Sequence, residues 1–310
     1  MSEKKKILVT GSCGFIFGNF IRHVIYKKYP YKIVSVDRIR EDAPNSMYFN
    51  KSHTFYVADI KDQHVMDAIF QLEKPDIVIH GAAEISNSSE DLISTNVLGT
   101  QIIINSCLKN KVEKLVYVST EEVYGQLMDE SHGTFNEMHP LNPSNKYSAT
   151  KAAGELLVKA ANKSHGLIYN IVRPCSNYGP RQTVDGLIPA VLKSVLSDNK
   201  VIIKEGGMTI RSWINVMDTS EAIINIIENG VINQTYNIST EQECSNIELV
   251  QKICNTIGKG HDLVSFTGTD NHYACDSTKI KKLGWQPSYK FKDGIASVIE
   301  WFLANKWMFR

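Results

Sequence analysis

No apolar run in this 310-residue chain is long enough to span a bilayer. No apolar segment precedes the first strand pattern, so no secretory leader is expected. Neither sign of charge is in excess: 34 Lys and Arg stand against 33 Asp and Glu, a formal net charge of +1. That balance removes the electrostatic argument for nucleic acid or an anionic membrane as a partner. The Lys4-Lys5-Lys6 run reads as a solvated end before the first strand. The six cysteines, Cys13, Cys107, Cys175, Cys244, Cys254 and Cys275, form no C-x-x-C pair and have no histidine cluster beside them. No metal site is therefore expected, and the thiols read as reduced, which points to the cytoplasm. There is no internal repeat and no low-complexity tract, and the 9 prolines and 19 glycines are scattered rather than gathered into a linker. What is present is 43% hydrophobic and 22% charged residues, enough apolar chain for a sizeable core.

The first half alternates strand and helix patterns. Ile7–Thr10, Ile33–Asp37, Thr54–Val57, Ile77–His80, Lys114–Thr120 and Gly166–Arg173 read as strands. Phe15–Tyr29, Asp62–Leu72 (capped by Asp62), Asp91–Asn110 and Ser144–Asn162 read as helices. Such alternation predicts an α/β Rossmann-type fold, a doubly wound parallel sheet with helices on both faces. After Asn177-Tyr178-Gly179-Pro180 the pattern changes to short strands (Val201–Lys204, Thr235–Ile238) among helices (Asp218–Glu228, Ile247–Ile257, Asp293–Lys306). Residues 1–174 are expected to form the dinucleotide-binding domain, with some later segments returning to it. Residues 175–310 are expected to form mainly a smaller mixed α/β domain that closes over a cleft.

Three motifs carry chemistry. Thr10-Gly11-Ser12-Cys13-Gly14-Phe15-Ile16 joins the first strand to the first helix. Glycines there permit a tight turn and bring backbone N–H groups against a pyrophosphate at the helix N-terminus. The third glycine of such turns would fall at Phe17, with Gly18 following, so either Gly18 takes over or the Phe17 ring turns away. Asp37 ends the second strand, where a carboxylate accepts from ribose hydroxyls; this favours NAD over NADP, with Arg38 and Arg40 as the alternative, 2′-phosphate-binding groups. Asp59-Ile60 either borders an adenine or serves as a loop cap.

Tyr147-Ser148-Ala149-Thr150-Lys151 places a phenol and an amine on one helix face. A neighbouring ammonium and a cationic nicotinamide ring stabilise phenolate, so Tyr147 is expected to act as a base. Alone this spacing is common; joined to the upstream turn and to Thr120 it is specific. Thr120-Glu121-Glu122 follows an apolar strand with two adjacent carboxylates, an acid and a base beyond what hydride transfer uses.

These motifs, with Thr95-Asn96-Val97-Leu98-Gly99-Thr100, Arg173-Pro174-Cys175-Ser176-Asn177-Tyr178-Gly179-Pro180-Arg181-Gln182, Arg211-Ser212-Trp213-Ile214-Asn215-Val216 and Leu283-Gly284-Trp285-Gln286-Pro287, run over nearly the whole chain. The chain resembles the extended short-chain dehydrogenase/reductases that act on nucleotide sugars, and among them the NDP-hexose 4,6-dehydratases. Their Thr-Asp-Glu-Val-Tyr-Gly is matched by Thr120 to Gly125, with Glu121 in place of Asp; the 4-epimerases have small residues at these two positions. The resemblance implies a lyase that uses NAD and makes a 4-keto-6-deoxy sugar. In it Thr120, Tyr147 and Lys151 serve the oxidation, Glu122 is the base at C5 and Glu121 the acid at the 6-hydroxyl, with inversion at C5 left open. Gly11, Cys13, Gly14, Phe15, Ile16, Asp37, Asp59, Ile60, Ala82, Ala83, Tyr147 and Lys151 are implied as cofactor contacts. Glu84, Ser86, Asn177, Arg211, Asn237 and His272 are implied as substrate contacts; Arg211 meets a phosphate, and His272 stands where a second arginine is common.

After Ala82-Ala83-Glu84 the glucose enzymes continue Ser-His-Val-Asp, but here Ile85-Ser86-Asn87-Ser88 follows. That departure points to an altered sugar, with UDP-N-acetylglucosamine the leading expectation and UDP- or dTDP-glucose next. A homodimer through the helices near Asp91–Asn110 and Ser144–Asn162 is also implied. The competing expectations are an NDP-sugar 4-epimerase and, in a different class, a non-catalytic NAD- or nucleotide-sugar-binding protein.

Overall fold

The computed structural model describes residues 4–38, 53–127 and 133–309. In chain order its first half runs β1 (Lys5–Thr10), α1 (Phe15–Tyr26), β2 (Tyr31–Asp37), β3 (His53–Val57), α2 (Gln63–Glu73), β4 (Ile77–His80), α3 (Thr100–Lys109), β5 (Lys114–Val118), α4 (Lys146–His165) and β6 (Tyr169–Pro174). The second half runs β7 (Ser176–Tyr178), α5 (Leu187–Ser197), β8 (Val201–Ile203), β9 (Ile210–Asn215), α6 (Val216–Asn229), β10 (Gln234–Ile238), β11 (Glu243–Ser245), α7 (Asn246–Ile257), β12 (Val264–Phe266), β13 (His272–Tyr273), α8 (Thr278–Lys281) and α9 (Phe291–Ala304).

Seven strands form one sheet in the order β10-β6-β5-β4-β1-β2-β3, every neighbouring pair parallel. The expected doubly wound sheet is what forms, and β10 joins it from late in the chain. Side-chain alternation explains the layering. Ile7 and Val9 enter a cluster with Phe20 and Val24 of α1 and Ile223 and Ile227 of α6. Leu8, between them, enters the opposite cluster with Met66 and Phe70 of α2, Ile103 of α3 and Val158 of α4. Both faces are covered, so these strands read as continuous apolar runs rather than alternating ones. A third cluster gathers α5, α7 and α9 around Trp213. Beside it β9 pairs with β11 antiparallel and with β7 and β13 in parallel, and β8 pairs with β12, which makes the expected smaller mixed part.

Several expected boundaries move. The helix expected over Asp91–Asn110 widens into a π-type turn over Ser94–Gly99 before α3 begins. The strand expected to reach Thr120 stops at Val118, which leaves Ser119 and Thr120 to turn into a 3₁₀ segment at Glu121–Tyr124. Asp62 caps α2 as expected, accepting from the N–H groups of His64 and Val65. Strands β7, β9, β11, β12 and β13 and helices α5 and α8 were not read from sequence. Most are too short to show a period, and Pro189 sits in α5, where a first-turn proline is tolerated. Arg40 lies outside the described residues.

Phe17 keeps its place in α1 by using space at another glycine. A Cβ built at Gly81 would lie 2.0 Å from the Phe17 ring, so the aromatic edge packs on bare backbone just past β4. The close approach usually supplied by a third glycine in the helix is supplied here by one at the strand end.

Candidate active site

A cavity of about 470 Å³ opens at the carboxyl ends of the parallel strands, the place where such sheets bind ligands. Gly11, Gly14, Phe15 and Ile16 line it from the first turn, and Asp37, Asp59 and Ile60 from the ends of β2 and β3. Ala82 and Ala83 line it after β4, and Tyr147 and Lys151 from α4. Cys13 is buried and does not line it; its backbone N–H donates to Asp37 Oδ2 at 2.8 Å, tying the glycine turn to β2. Gly11 has φ +73°, and a Cβ there would sit 2.7 Å from the Ala82 nitrogen, so only glycine fits. Helix α1 has Gly14 as its N-cap, with no side-chain cap and no acid in its first turn. Its amides therefore suit an anion. Asp59 lines the cavity, and its Oδ1 accepts the Lys61 N–H at 2.9 Å, as a loop cap does.

A buried hydrogen-bonded chain joins the start of α3 to the ends of β4 and β1. Thr100 donates to the Asn96 carbonyl at 2.6 Å, so it accepts from His80 Nε2 at 3.0 Å, and His80 Nδ1 accepts from Thr10 at 2.8 Å. Burial lowers the His80 pKa to about 3, with Lys151 adding to the effect, so the ring is neutral. Asn96, in the wide turn, clasps the backbone of Glu84 in both directions at 2.8 Å and donates to Thr150 at 2.9 Å. The loop after β4 is thus fastened to α4.

The reactive groups meet where the 3₁₀ segment faces the start of α4. Thr120 lines the cavity and its hydroxyl accepts the Glu122 N–H at 3.3 Å. Glu121 is buried, and among the described residues neither carboxyl oxygen has a hydrogen-bond partner of good geometry, the Ser176 backbone N–H acting on it only as a pull that lowers its pKa. Burial, with repulsion from Glu122, raises its pKa to about 8 against the opposing pull of Arg211. Glu122 is half-buried; Asn145 Nδ2 donates to its Oε2 at 2.9 Å, and Arg211 Nη1 stands 3.9 Å from its Oε1. Tyr147 lies close enough for Glu122 to act on it: burial and that charge raise the phenol above its ordinary value. Lys151 is brought down to about 7 by burial, and its Nζ lies over the Tyr117 ring, 4.5 Å from the centroid. Within the protein alone, burial and Glu122 govern the phenol.

Arg211 projects from β9, stacks on Tyr273 at 4.7 Å and pairs with Glu205 at 2.8 Å. His272, on neighbouring β13, pairs with Glu243 at 2.8 Å. Asn177 lines the cavity, accepting from Thr219 at 2.7 Å and donating to the Cys175 carbonyl at 2.9 Å.

Three substrate-side expectations change. Asn237 is fully buried: its Oδ1 accepts from Tyr124 at 2.8 Å and its Nδ2 donates to the Phe135 and Asp276 carbonyls. It belongs to a buried network in which Arg173 bonds Glu155 with two nitrogens and also donates to Tyr124, so it does not line the cleft. Glu84 gives its carboxylate to Arg38 at 3.2 Å and to the N–H groups of Ile85 and Ser86 at 3.0 Å. Ser86 is exposed on that loop, bonded to Ser88 at 2.9 Å; Ile85 lines the cavity instead. Residues that sequence reasoning missed include Asn145, Glu205 and Tyr273, whose roles come from pairing across distant segments and leave no local signal.

The NAD dependent epimerase/dehydratase family model matches residues 7–239. The chain belongs to that family. A dTDP-glucose 4,6-dehydratase of Neisseria gonorrhoeae is 34% identical over 98% of this chain and 97% of its own. The low-salt glycan biosynthesis protein Agl12 of Haloferax volcanii is 34% identical over 96% of this chain and 99% of its own. The crystal structure of a dTDP-glucose 4,6-dehydratase from Bacillus anthracis in complex with NAD superposes with a TM-score of 0.90 at 30% identity, covering 97% of both chains. The cofactor of this family member is NAD, and the site fits it: uncapped α1 amides, a glycine with no room for a side chain, and Asp37 at the end of β2.

Proposed function

We propose that this protein is a hydro-lyase, an NDP-hexose 4,6-dehydratase that converts its substrate to a 4-keto-6-deoxy sugar. The observation that carries the reading is the carboxylate pair beside Tyr147: Glu121 is buried, without a hydrogen-bond partner among the described residues and raised to about 8, while Glu122 accepts a hydrogen bond from Asn145. The two environments push the groups toward opposite roles, an acid and a base. Full-length similarity to dTDP-glucose 4,6-dehydratases supports the same reaction.

NAD, when bound, would take up the hydride that leaves C4 and give it back at C6 once water has gone, and would supply a positive charge in the cavity that Tyr147 lines. Tyr147 takes the proton of the sugar 4-hydroxyl. The 4-ketone acidifies C5–H, and Glu122 takes that proton. Glu121, protonated below about pH 8, gives its proton to the 6-hydroxyl, which leaves as water. Glu122 then holds the proton that C5 recovers. Arg211, whose guanidinium stands 3.9 Å from Glu122, is the group for the diphosphate.

The substrate is a nucleoside-diphosphate glucose, dTDP-glucose first. UDP-N-acetylglucosamine is the second reading, favoured by the Ile85–Ser88 segment, which lacks the His and Asp usual beside glucose. Incubation with dTDP-glucose, UDP-glucose and UDP-N-acetylglucosamine in D2O, read by mass and proton NMR, separates these. Water loss with deuterium at C5 is expected. Inversion at C4 without water loss would instead make the protein a 4-epimerase, and C5 configuration reports any 5-epimerisation.

A homodimer is also proposed, through the face on which Ile93, Leu98 and Leu156 are 65%, 58% and 59% exposed. Light scattering of Leu98→Glu tests it, a monomer being expected. Six free cysteines support a reducing compartment, the cytoplasm. Among the described residues no helix is long and apolar enough to cross a membrane.

A further inference from the structure

The residue that starts the Tyr147 helix also holds Glu122. Asn145 is the N-cap of α4, in extended conformation, with a reciprocal capping box to Ser148. Its Oδ1 accepts the Ser148 N–H at 2.8 Å. A backbone N–H only donates, so that bond fixes which way the amide points. The NH2 group is thereby turned the other way, and it donates to Glu122 Oε2 at 2.9 Å. Among the described residues this is the one hydrogen bond that the Glu122 carboxylate receives, since Arg211 stands off at 3.9 Å. Thr120 holds the backbone of Glu122, and Asn145 holds its side chain.

We propose that Asn145 is the positioning residue for Glu122. Its amide joins the start of the helix bearing Tyr147 and Lys151 to the turn bearing Glu121 and Glu122, so the groups for the two half-reactions keep one relative geometry. The proposal rests on Glu122 being the base at C5.

Asn145→Asp separates the two tasks. Aspartate caps a helix as well as asparagine does, and it has nearly the same shape. It replaces the amide donor with an oxygen that repels Glu122. Asn145→Ala removes both tasks. The variants are compared in D2O on whichever of dTDP-glucose, UDP-glucose and UDP-N-acetylglucosamine the wild type turns over. The readouts are C5 deuterium incorporation, transient absorbance at the reduced-nicotinamide band, and thermal midpoint.

For Asn145→Asp we expect C5 exchange to fall roughly tenfold to a hundredfold, the loss of a charge-assisted hydrogen bond. The transient band should persist and the midpoint should stay near wild type. For Asn145→Ala the midpoint should also fall by several degrees, on the order expected for a lost cap. Wild-type exchange in Asn145→Asp would overturn the proposal, because a residue that only caps is fully replaced by aspartate. Glu122→Gln is the control. If it keeps C5 exchange, the base assignment fails and the proposal falls with it. If it loses exchange while Asn145→Asp does not, only the positioning role fails. A wild type that oxidises none of the three sugars would overturn both.

Discussion

The cofactor cavity is built largely from backbone, and the reactive cluster beside it from side chains. At the cavity a glycine at φ +73°, uncapped helix amides and strand ends set the shape, and the neutral His80 ring is hydrogen-bonded at the end of β4. At the cluster Glu121, Glu122, Arg211, Glu205, His272 and Glu243 crowd together from four separate segments, each charge partly answered by another. Backbone shape tolerates change in side chains around it. A cluster of paired charges does not, because removing one partner leaves another exposed to its full desolvation cost. The difference predicts that substitutions in the two regions fail in different ways.

The largest effect is expected at the cluster. Glu122→Gln should lower product formation by about a thousandfold, the scale of a lost general base, while NAD affinity by calorimetry stays within about twofold. Similar losses in both would erase the distinction between the regions.

Next is Glu121→Gln, read as stability. The folded-state pKa of Glu121 is raised to about 8, above its unfolded value. Between the ordinary carboxylate range and about 8, the unfolded chain releases a proton that the folded chain keeps, so stability falls as pH rises through that window. The variant should therefore be more stable than wild type at pH 9, by on the order of a few kcal/mol, with the gap closing toward pH 4. Denaturant melts at the two pH values check this; a gap independent of pH would contradict it.

A third, smaller effect belongs to the cavity. Gly81→Ala drives a Cβ into the Phe17 ring and should cost about 1–3 kcal/mol, as overpacking does, and weaken NAD binding. Unchanged stability would mean that Phe17 is free to move away. The smallest is Arg38→Ala, which removes the half-exposed pair with Glu84 and should change stability by less than about 1 kcal/mol.

The same division governs what could be read from sequence. The six first-half strands of the parallel sheet were legible because apolar runs and helical spacing alternate, while the seventh, β10, was read as a strand of the later part; Gly11, Asp37, Tyr147 and Lys151 were legible as candidates because they sit at fixed places on those elements. The two-residue strand β13 and the antiparallel β11–β9 pair carry no period and were missed. Asn237 was misplaced because nothing local shows that Tyr124, Phe135 and Asp276 use up its amide. The position of Phe17 was left open because its answer lies at Gly81, 64 residues away. Asn145 was missed because helix capping and the bond to Glu122 are joined only in three dimensions.

The most direct test is the charge state of Glu121. Infrared difference spectra between wild type and Glu121→Gln, taken across pH, report a protonated carboxyl. The account predicts a band that persists at pH 7 and titrates near about 8. A Glu121 carboxyl already ionised at pH 6 would contradict it, because no proton would then be at hand for the leaving hydroxyl.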